Sequence, residues 1–381
     1  MNKSTPVIYL IDDMEQSAAV EELQQNGLDA SYLHPLEVEE HHLKRATLLA
    51  VDQYFDLEDV SIDEDLRLPE ELPLSVVPRD GLALSAVLRS ASEDIGRSRP
   101  LGIALRSGEL TQLTRGLPQA IREPLIAAQH DLEWVVSKQA NAEMSAVRPL
   151  TQIQALAIAL NEFPSHWSES APRNTGSLWL GIGNISSSGL ATRQIEQCRP
   201  PREVARTTAH GLSWLRWLVL RILPFPTFLI SDIHVAAQIG VTPESLRAAM
   251  KYSDSSVAHS LRASVYTGPL HEMQRRRFWR SGVLQMLSSL SSDGDFSDPA
   301  TNGDLIAQKD THFTSHGIFD PVVTIDRNYF ESDTIFSRSD CLRLAPDGWP
   351  PYADPAWGLK SAMEEDNLED LLAPRAGFLR Q

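Results

Sequence analysis

Four short stretches of this chain end in residues able to handle a phosphoryl group. Asp12 and Asp13 follow the apolar run 7–11, and Asp52 closes the run 47–51. Arg106, Ser107 and Gly108 follow 101–105, and Ser137 and Lys138 follow 132–136. Brought to one place, Asp12, Asp13 and Asp52 repel one another and raise their own pKa values. A Mg²⁺ ion relieves that conflict, because it takes oxygen ligands from a few carboxylates together with phosphate. An aspartate beside such an ion is a nucleophile toward a phosphoryl group. A hydroxyl and an ammonium then hold the phosphoryl oxygens. Taken singly, each residue has a plainer use: Asp-Asp after a strand caps a helix, and a lone lysine is solvated. The set, in this order at four strand ends, is what points to chemistry.

The elements that must position these residues alternate along the first 163 residues. The runs 7–11, 31–33, 47–51, 101–105 and 132–136 read as short buried strands. Helical patterns fall at 15–26, 36–45 and 81–89, and a last one carries Leu150, Ile153, Leu156 and Leu160 on one face. Such alternation predicts an α/β fold, a doubly wound five-stranded parallel sheet covered on both faces. Ligands of such sheets bind outside the carboxyl ends of the strands, where the acids, the hydroxyl and the lysine fall.

Composition narrows the field. The chain has 381 residues, 42% hydrophobic and 22% charged, which is a foldable composition of two or three domains. The net charge of −17 disfavours general coating of nucleic acid. Two cysteines exclude a disulfide scaffold and a four-thiolate zinc site. The N-terminal apolar run is too short for a signal peptide, and the chain lacks the roughly 18 consecutive apolar residues of a membrane span. A cytoplasmic protein without a membrane partner is expected. Charge is unevenly spread. Residues 1–163 carry 27 acids and 13 bases, 13 − 27 = −14, whereas 191–280 carry 13 bases and 6 acids, 13 − 6 = +7. The asymmetry suggests separate units, with the basic one lying against the acidic one.

The pieces VIYLIDD (7–13), LLAVD (48–52), DGLALSAVLR (80–89), RPLGIALRSGE (99–109) and EWVVSK (133–138) together resemble the receiver domain of response regulators. That resemblance covers residues 1–163 and implies a flavodoxin-like fold. It implies that Asp52 accepts a phosphoryl group, that Asp12 and Asp13 support Mg²⁺ with it, that Ser107 is the switch hydroxyl and that Lys138 contacts the phosphate. It also implies a sensor kinase, or an ATPase-like protein, as partner. The chain departs from the family pattern in places. An acidic insertion occupies 53–79, Gln139 stands where the family has proline, Trp134 lies one residue off the aromatic switch position, and Arg106 competes with Ser107 for the switch position.

The remainder divides into a mainly helical basic region (164–290), a polar linker (291–308) and a small C-terminal region (309–381) with a Pro/Trp-rich loop. Residues 235–251 have the small-residue, turn-glycine pattern of a helix-turn-helix, with Thr242 as cap. Arg247 and Lys251 would face a DNA groove. Arg275, Arg276, Arg277 and Arg280 surround Phe278 and Trp279, as a helix with a solvated face and a buried aromatic pair, or as a contact to phosphate or to an acidic partner, so duplex DNA is a candidate partner of 235–280. Three functions follow: a phosphoacceptor switch acting on a helical output region, a non-catalytic adaptor built on a receiver fold, and a DNA-binding regulator. A homodimer is compatible with each.

Overall fold

The computed structural model describes residues 5–55, 80–97, 99–108, 110, 114, 116–138, 147–163, 175–201, 211–290, 296–365 and 367–374. Most of the acidic insertion, from residue 56 to 79, lies outside them. The first strands are β1 (Val7–Ile11), β2 (Asp29–Leu33), β3 (Leu48–Asp52), β4 (Gly102–Ser107) and β5 (Trp134–Ser137). They form one sheet in the order β2-β1-β3-β4-β5 with every pairing parallel. This is a doubly wound order, whose direction reverses between β1 and β3. The predicted α/β sheet is therefore present.

Side-chain alternation gives the sheet two apolar faces. Ile8, Leu10, Leu48, Ala50, Ala104 and Val136 share one core cluster; Tyr9, Ile11, Leu49, Val51, Ile103 and Val135 share another. The second face is covered by α2 (Glu40–Arg45), α3 (Gly81–Asp94) and α4 (Arg122–Gln129), through Leu43, Leu84, Leu88 and Ile126. The first is covered by α1 (Ser17–Gln25) and α5 (Pro149–Asn161), through Leu23, Ile153, Leu156 and Leu160. Helix α3 begins under Asp52. Asp80 caps it by accepting from Leu82 N, and Gly81 N donates to the Gln53 carbonyl. A Cβ on Gly81 would lie 1.8 Å from the Asp52 carbonyl oxygen, so only glycine allows this approach.

The core does not stop at α5. It continues into α6 (Thr175–Trp179), α7 (Ser188–Gln197) and α8 (Leu212–Trp217), the last extended by a π-helical turn at Leu218–Ile222. Trp179 Nε1 donates to the Ala159 carbonyl of α5. A run of ring contacts leads from Trp214 to Trp217, Phe228, Trp279 and Tyr266 at centroid spacings of 5.3, 5.9, 5.7 and 5.5 Å. The sheet and the helical region thus share one apolar cluster. Their contact is apolar more than electrostatic, unlike the charge-driven contact expected from sequence.

Polar contacts join the same two regions at the amino-terminal edge of the sheet. Glu133, fully buried before β5, accepts from Ile103 N at 2.5 Å and from Arg89 Nη2 of α3 at 2.6 Å. Its other oxygen accepts from Arg216 of α8, at 3.2 Å from Nε and 2.7 Å from Nη2.

Beyond α8 come β6 (Leu229–Ser231), α9 (Asp232–Ile239), α10 (Pro243–Tyr252), α11 (Ser256–Ala263), β7 (Arg277–Trp279), α12 (Arg280–Leu290) and α13 (Pro299–Lys309). Two hairpin-like pairs close the described chain: β8 (Pro321–Ile325) with β9 (Glu331–Ser337), and β10 (Cys341–Arg343) with β11 (Trp357–Leu359). Two readings of the sequence need correction here. The expected linker 291–308 becomes helical from Pro299, because Asp298 caps Ala300 N, Pro299 suits the first turn, and Ile306 is buried. The stretch 275–280 is not one helix: Arg277–Trp279 is strand β7 and Arg280 opens α12, while Arg275 and Arg276 are exposed and the pair Phe278 and Trp279 is buried as expected. The Pro/Trp-rich loop packs inward: Trp349 lies 5.0 Å from the Phe225 ring and donates to the Asp354 carbonyl.

Candidate functional site

The carboxyl ends of β1 and β3 flank the point where the strand order reverses. Asp12 and Asp13 follow β1, and Asp52 is the last residue of β3. One carboxylate oxygen from each of the three lies within 4.8 Å of the others, and among the described residues they form a group able to hold a metal ion. Asp12 and Asp52 are buried and Asp13 is partly exposed. The Lys138 ammonium stands between the first two, 2.6 Å from Asp52 Oδ1 and 3.2 Å from Asp12 Oδ2. Of the residues singled out from sequence, Asp12, Asp13, Asp52 and Lys138 therefore meet.

Ser107 and Arg106 are resolved by register. Arg106 pairs directly with Asp52, and neighbours paired in a parallel sheet share a face. The Arg106 guanidinium accordingly reaches the acids: Nη1 is 3.6 Å from Asp12 Oδ2, and Nη2 donates to Gln16 Oε1 at 3.0 Å. Alternation sends the side chain of Ser107 to the opposite face. Ser107 is fully buried, and its carbonyl accepts from Lys138 N at 2.7 Å, fixing the start of the segment that carries the lysine. Arg106 was legible only as a competitor for the switch position; counting by two along β4 is the signal that places it beside Asp52. Trp134 lies buried on the same face as Lys138 and donates to Gln152 of α5.

The electrostatics are those of a crowded, poorly hydrated site. Burial pushes the Asp12 carboxyl above its ordinary range; the Asp52 charge adds to this, while the Met14 N–H and Lys138 oppose it. Burial also lowers the Arg106 guanidinium, against the pull of Asp12 and Asp52. Three acids face two cations, leaving a formal excess of one negative charge. Hard oxygen donors at this spacing, with an unbalanced negative charge, fit Mg²⁺. Asp12, Asp13 and Asp52 would hold it, and the ion would supply neutralisation of negative charge at this edge of the sheet.

Elsewhere, α9 and α10 are joined through Gly240 at φ +83°, and Thr242 caps α10 by accepting from Ser245 N. This is a helix-turn-helix in shape. Its turn is not free: a Cβ on Gly240 would meet the Pro299 carbonyl of α13 at 1.6 Å. Arg247 and Lys251 are exposed, Arg247 lying 3.5 Å from Asp232. Of the arginine cluster, Arg277 is committed to Glu331 at 3.3 Å. Arg280 makes a two-point contact with Asp354, at 2.8 and 2.5 Å. No helix among the described residues is long and apolar enough to cross a membrane.

No family model matches this chain, and no curated protein or solved structure matches it.

Proposed function

We propose that this chain is a phosphorylation-controlled signalling protein of receiver type, with Asp52 as phosphoacceptor. The observation that carries the reading is the convergence of Asp12, Asp13 and Asp52 with Lys138 at the carboxyl edge of a β2-β1-β3-β4-β5 sheet. An Asp52 oxygen attacks the phosphorus of an acyl phosphate or a phosphohistidine. The bond from phosphorus to the donor's leaving atom breaks, and the electron pair leaves with the donor. Asp12, Asp13 and Asp52 would hold Mg²⁺, which would supply charge neutralisation there. Lys138 follows the charge from carboxylate to phosphoryl oxygens; the acyl phosphate, itself about −1.5 to −2, replaces a carboxylate of −1, so the strand ends gain about half to one negative charge. Arg106, on the acid face, responds to that charge in place of the Ser107 hydroxyl. A sensor kinase, or an ATPase-like protein, in the cytoplasm is the matching donor.

The test is incubation of the full chain with Mg²⁺ and acetyl phosphate, followed by intact-mass measurement. One phosphoryl adduct is expected, lost in Asp52→Asn. Absence of any adduct makes the sheet a scaffold and favours the adaptor reading. The capped turn between α9 and α10, with Arg247 and Lys251 exposed, supports a second reading as a DNA binder. Its check is steeply salt-dependent binding of duplex DNA by the full chain, weakened in Arg247→Ala/Lys251→Ala.

A further inference from the structure

Arg106 is more than nine-tenths buried, and its two terminal nitrogens are used differently. Nη2 donates to Gln16 Oε1 at 3.0 Å. Nη1 lies 3.6 Å from Asp12 Oδ2, an ion pair without a hydrogen bond. A buried N–H left unbonded costs free energy, so this arm has a contact still to gain. Register sets the side chain beside Asp52, its partner on the same face of the parallel sheet. Gln16, which holds the other arm, is the residue before α1. Its carbonyl accepts from Val20 N in the first helical turn at 3.0 Å, and its Nε2 donates to the Met14 carbonyl at 3.2 Å. Movement of the Gln16 side chain therefore acts on the start of α1. That end of the helix has room. A cleft of about 350 Å³ separates it from the first turn of α5, with Ala19 on one side, Leu150 and Ile153 on the other, and Arg106 and Lys138 also in its wall. The later part of α1 is held, because Glu22 pairs with Arg148 at 3.0 Å and Leu23 is fully buried.

We infer that Arg106 couples a phosphoryl group on Asp52 to helix α1, an inference that rests on the phosphoacceptor reading above. Nη1 donates to a phosphoryl oxygen while Nη2 keeps Gln16, so the guanidinium bridges the modified side chain and the helix. Unmodified Asp52 is already held by Lys138 at 2.6 Å. A phosphoryl group brings three acceptor oxygens, enough for the ammonium and the free guanidinium arm together. Arginine suits the task because its planar fork offers two donors in a fixed geometry, whereas a lysine makes a point contact. The cleft leaves space for the first turn of α1 to follow Gln16, while Glu22 and Leu23 hold the rest of the helix. Gln16 is thus a positioning residue, acting through Arg106 and touching no phosphoryl oxygen itself. The state of Asp52 is displayed on the outer surface of α1, where Met14, Ser17, Ala18 and Glu21 are exposed.

The test reads α1 by hydrogen exchange with mass spectrometry. The full chain is compared in Mg²⁺ alone and in Mg²⁺ with beryllofluoride, a stable stand-in for a phosphoryl group on an aspartate. Intact mass after acetyl phosphate reports separately whether Asp52 is modified. Protection of the first turn of α1, residues 17–20, should change by about fivefold or more with beryllofluoride, the low end of the usual coupling between two sites. Arg106→Lys keeps the positive charge but not the two-armed fork. Its acetyl phosphate adduct should still form, and the change in α1 should be lost. Gln16→Leu, at a half-buried position outside the acid site, should likewise keep the adduct and lose the change. It keeps the test decisive if the Arg106 variant folds poorly. An adduct in the unsubstituted chain with α1 unchanged, or with the change retained in either variant, overturns the inference and leaves the phosphoacceptor reading standing. No adduct in the unsubstituted chain overturns both.

Discussion

Glu133→Ala removes a single carboxylate and should unsettle both halves of the molecule. That carboxylate is fully buried and accepts from the backbone of β4, from Arg89 on α3 and from Arg216 on α8. Truncation leaves two guanidiniums without their buried counter-charge; their side chains are only 13% and 30% exposed. Breaking a buried pair by removing one partner costs about 3–5 kcal/mol. Asp131 remains within reach of both arginines, which holds the cost toward the lower end of that range. The orphaned Ile103 N–H adds part of a desolvation penalty of about 1–3 kcal/mol, within the same event rather than on top of it. A loss of about 3 kcal/mol is a large share of a total stability of about 5–15 kcal/mol. Glu133→Gln should cost less than alanine but more than a surface change. It keeps the shape, yet it turns an N–H₂ toward donors on one side. The assay is equilibrium urea unfolding followed by tryptophan fluorescence and far-ultraviolet circular dichroism. Because one apolar cluster spans the sheet and α8, the two signals should shift together. A loss under about 1 kcal/mol would refute the buried-hub reasoning. Two separated transitions, with only the sheet affected, would refute the shared core.

Three further outcomes follow from single contacts. Gly81→Ala places a methyl 1.8 Å from the Asp52 carbonyl, so α3 must move; Mg²⁺ affinity should fall, as read by calorimetry, together with stability. Lys138→Ala leaves Asp12 and Asp52 without the ammonium between them. Phosphorylation by acetyl phosphate should slow, while Mg²⁺ binding, which no longer displaces the lysine, should not weaken. Asp310→Asn tests a pH effect. Burial pushes the Asp310 carboxyl up, but hydrogen bonds from Ser253, Ser255 and His312 outweigh it and hold the group below its ordinary range. Stability from a lowered pKa is fully present above the unfolded value and is lost as pH falls through the folded one. The variant should therefore be less stable at neutral pH, with a flatter acid limb in a plot of melting temperature against pH.

The sheet was legible because its strands are short apolar runs that stop abruptly at polar residues. Strand β5 was placed early by two residues, since Leu132 is as buried as a strand residue although Glu133 intervenes. The acids and Lys138 were legible from strand-end position alone. Arg106 required register, which composition does not carry. Helix α13 was misread because Asn302 and Gly303 look like turn formers. Gly303 allows a close approach, since a Cβ on it would lie 1.9 Å from the Gly240 carbonyl, and Asn302 Nδ2 donates to the Phe296 carbonyl. Division by charge misled in the same way. Net charge carries no record of the apolar surface of this region, Trp214, Trp217 and Phe228, which is continuous with the sheet.

That continuity bears on how a phosphorylated Asp52 would act on the helical half. Release of a docked basic region by added negative charge requires the charge to reach the docking contacts. The ionic ones, Arg216 with Glu133 and Asp131, lie at the amino-terminal edge of the sheet, opposite Asp52. Strand β5 has 4 residues, which at about 3.3 Å per residue spans about 13 Å. At that distance two unit charges interact by about 1 kcal/mol at an effective dielectric of about 20, small beside the buried pair they would have to break. The other contacts among the described residues are buried apolar surface and neutral hydrogen bonds, such as Trp179 Nε1 to the Ala159 carbonyl and Ala120 N to the Asn328 carbonyl, on which charge has little hold. Helix α5 touches both ends of the problem. Its first turn lines the cleft shared by Arg106 and Lys138, and its last turns bury Ala159 and Leu160 beneath Trp179 and Gly102. If Asp52 is phosphorylated as proposed, a rearrangement of Arg106 and Lys138 would therefore be transmitted by a shift of α5 against its neighbours, with the two halves still docked.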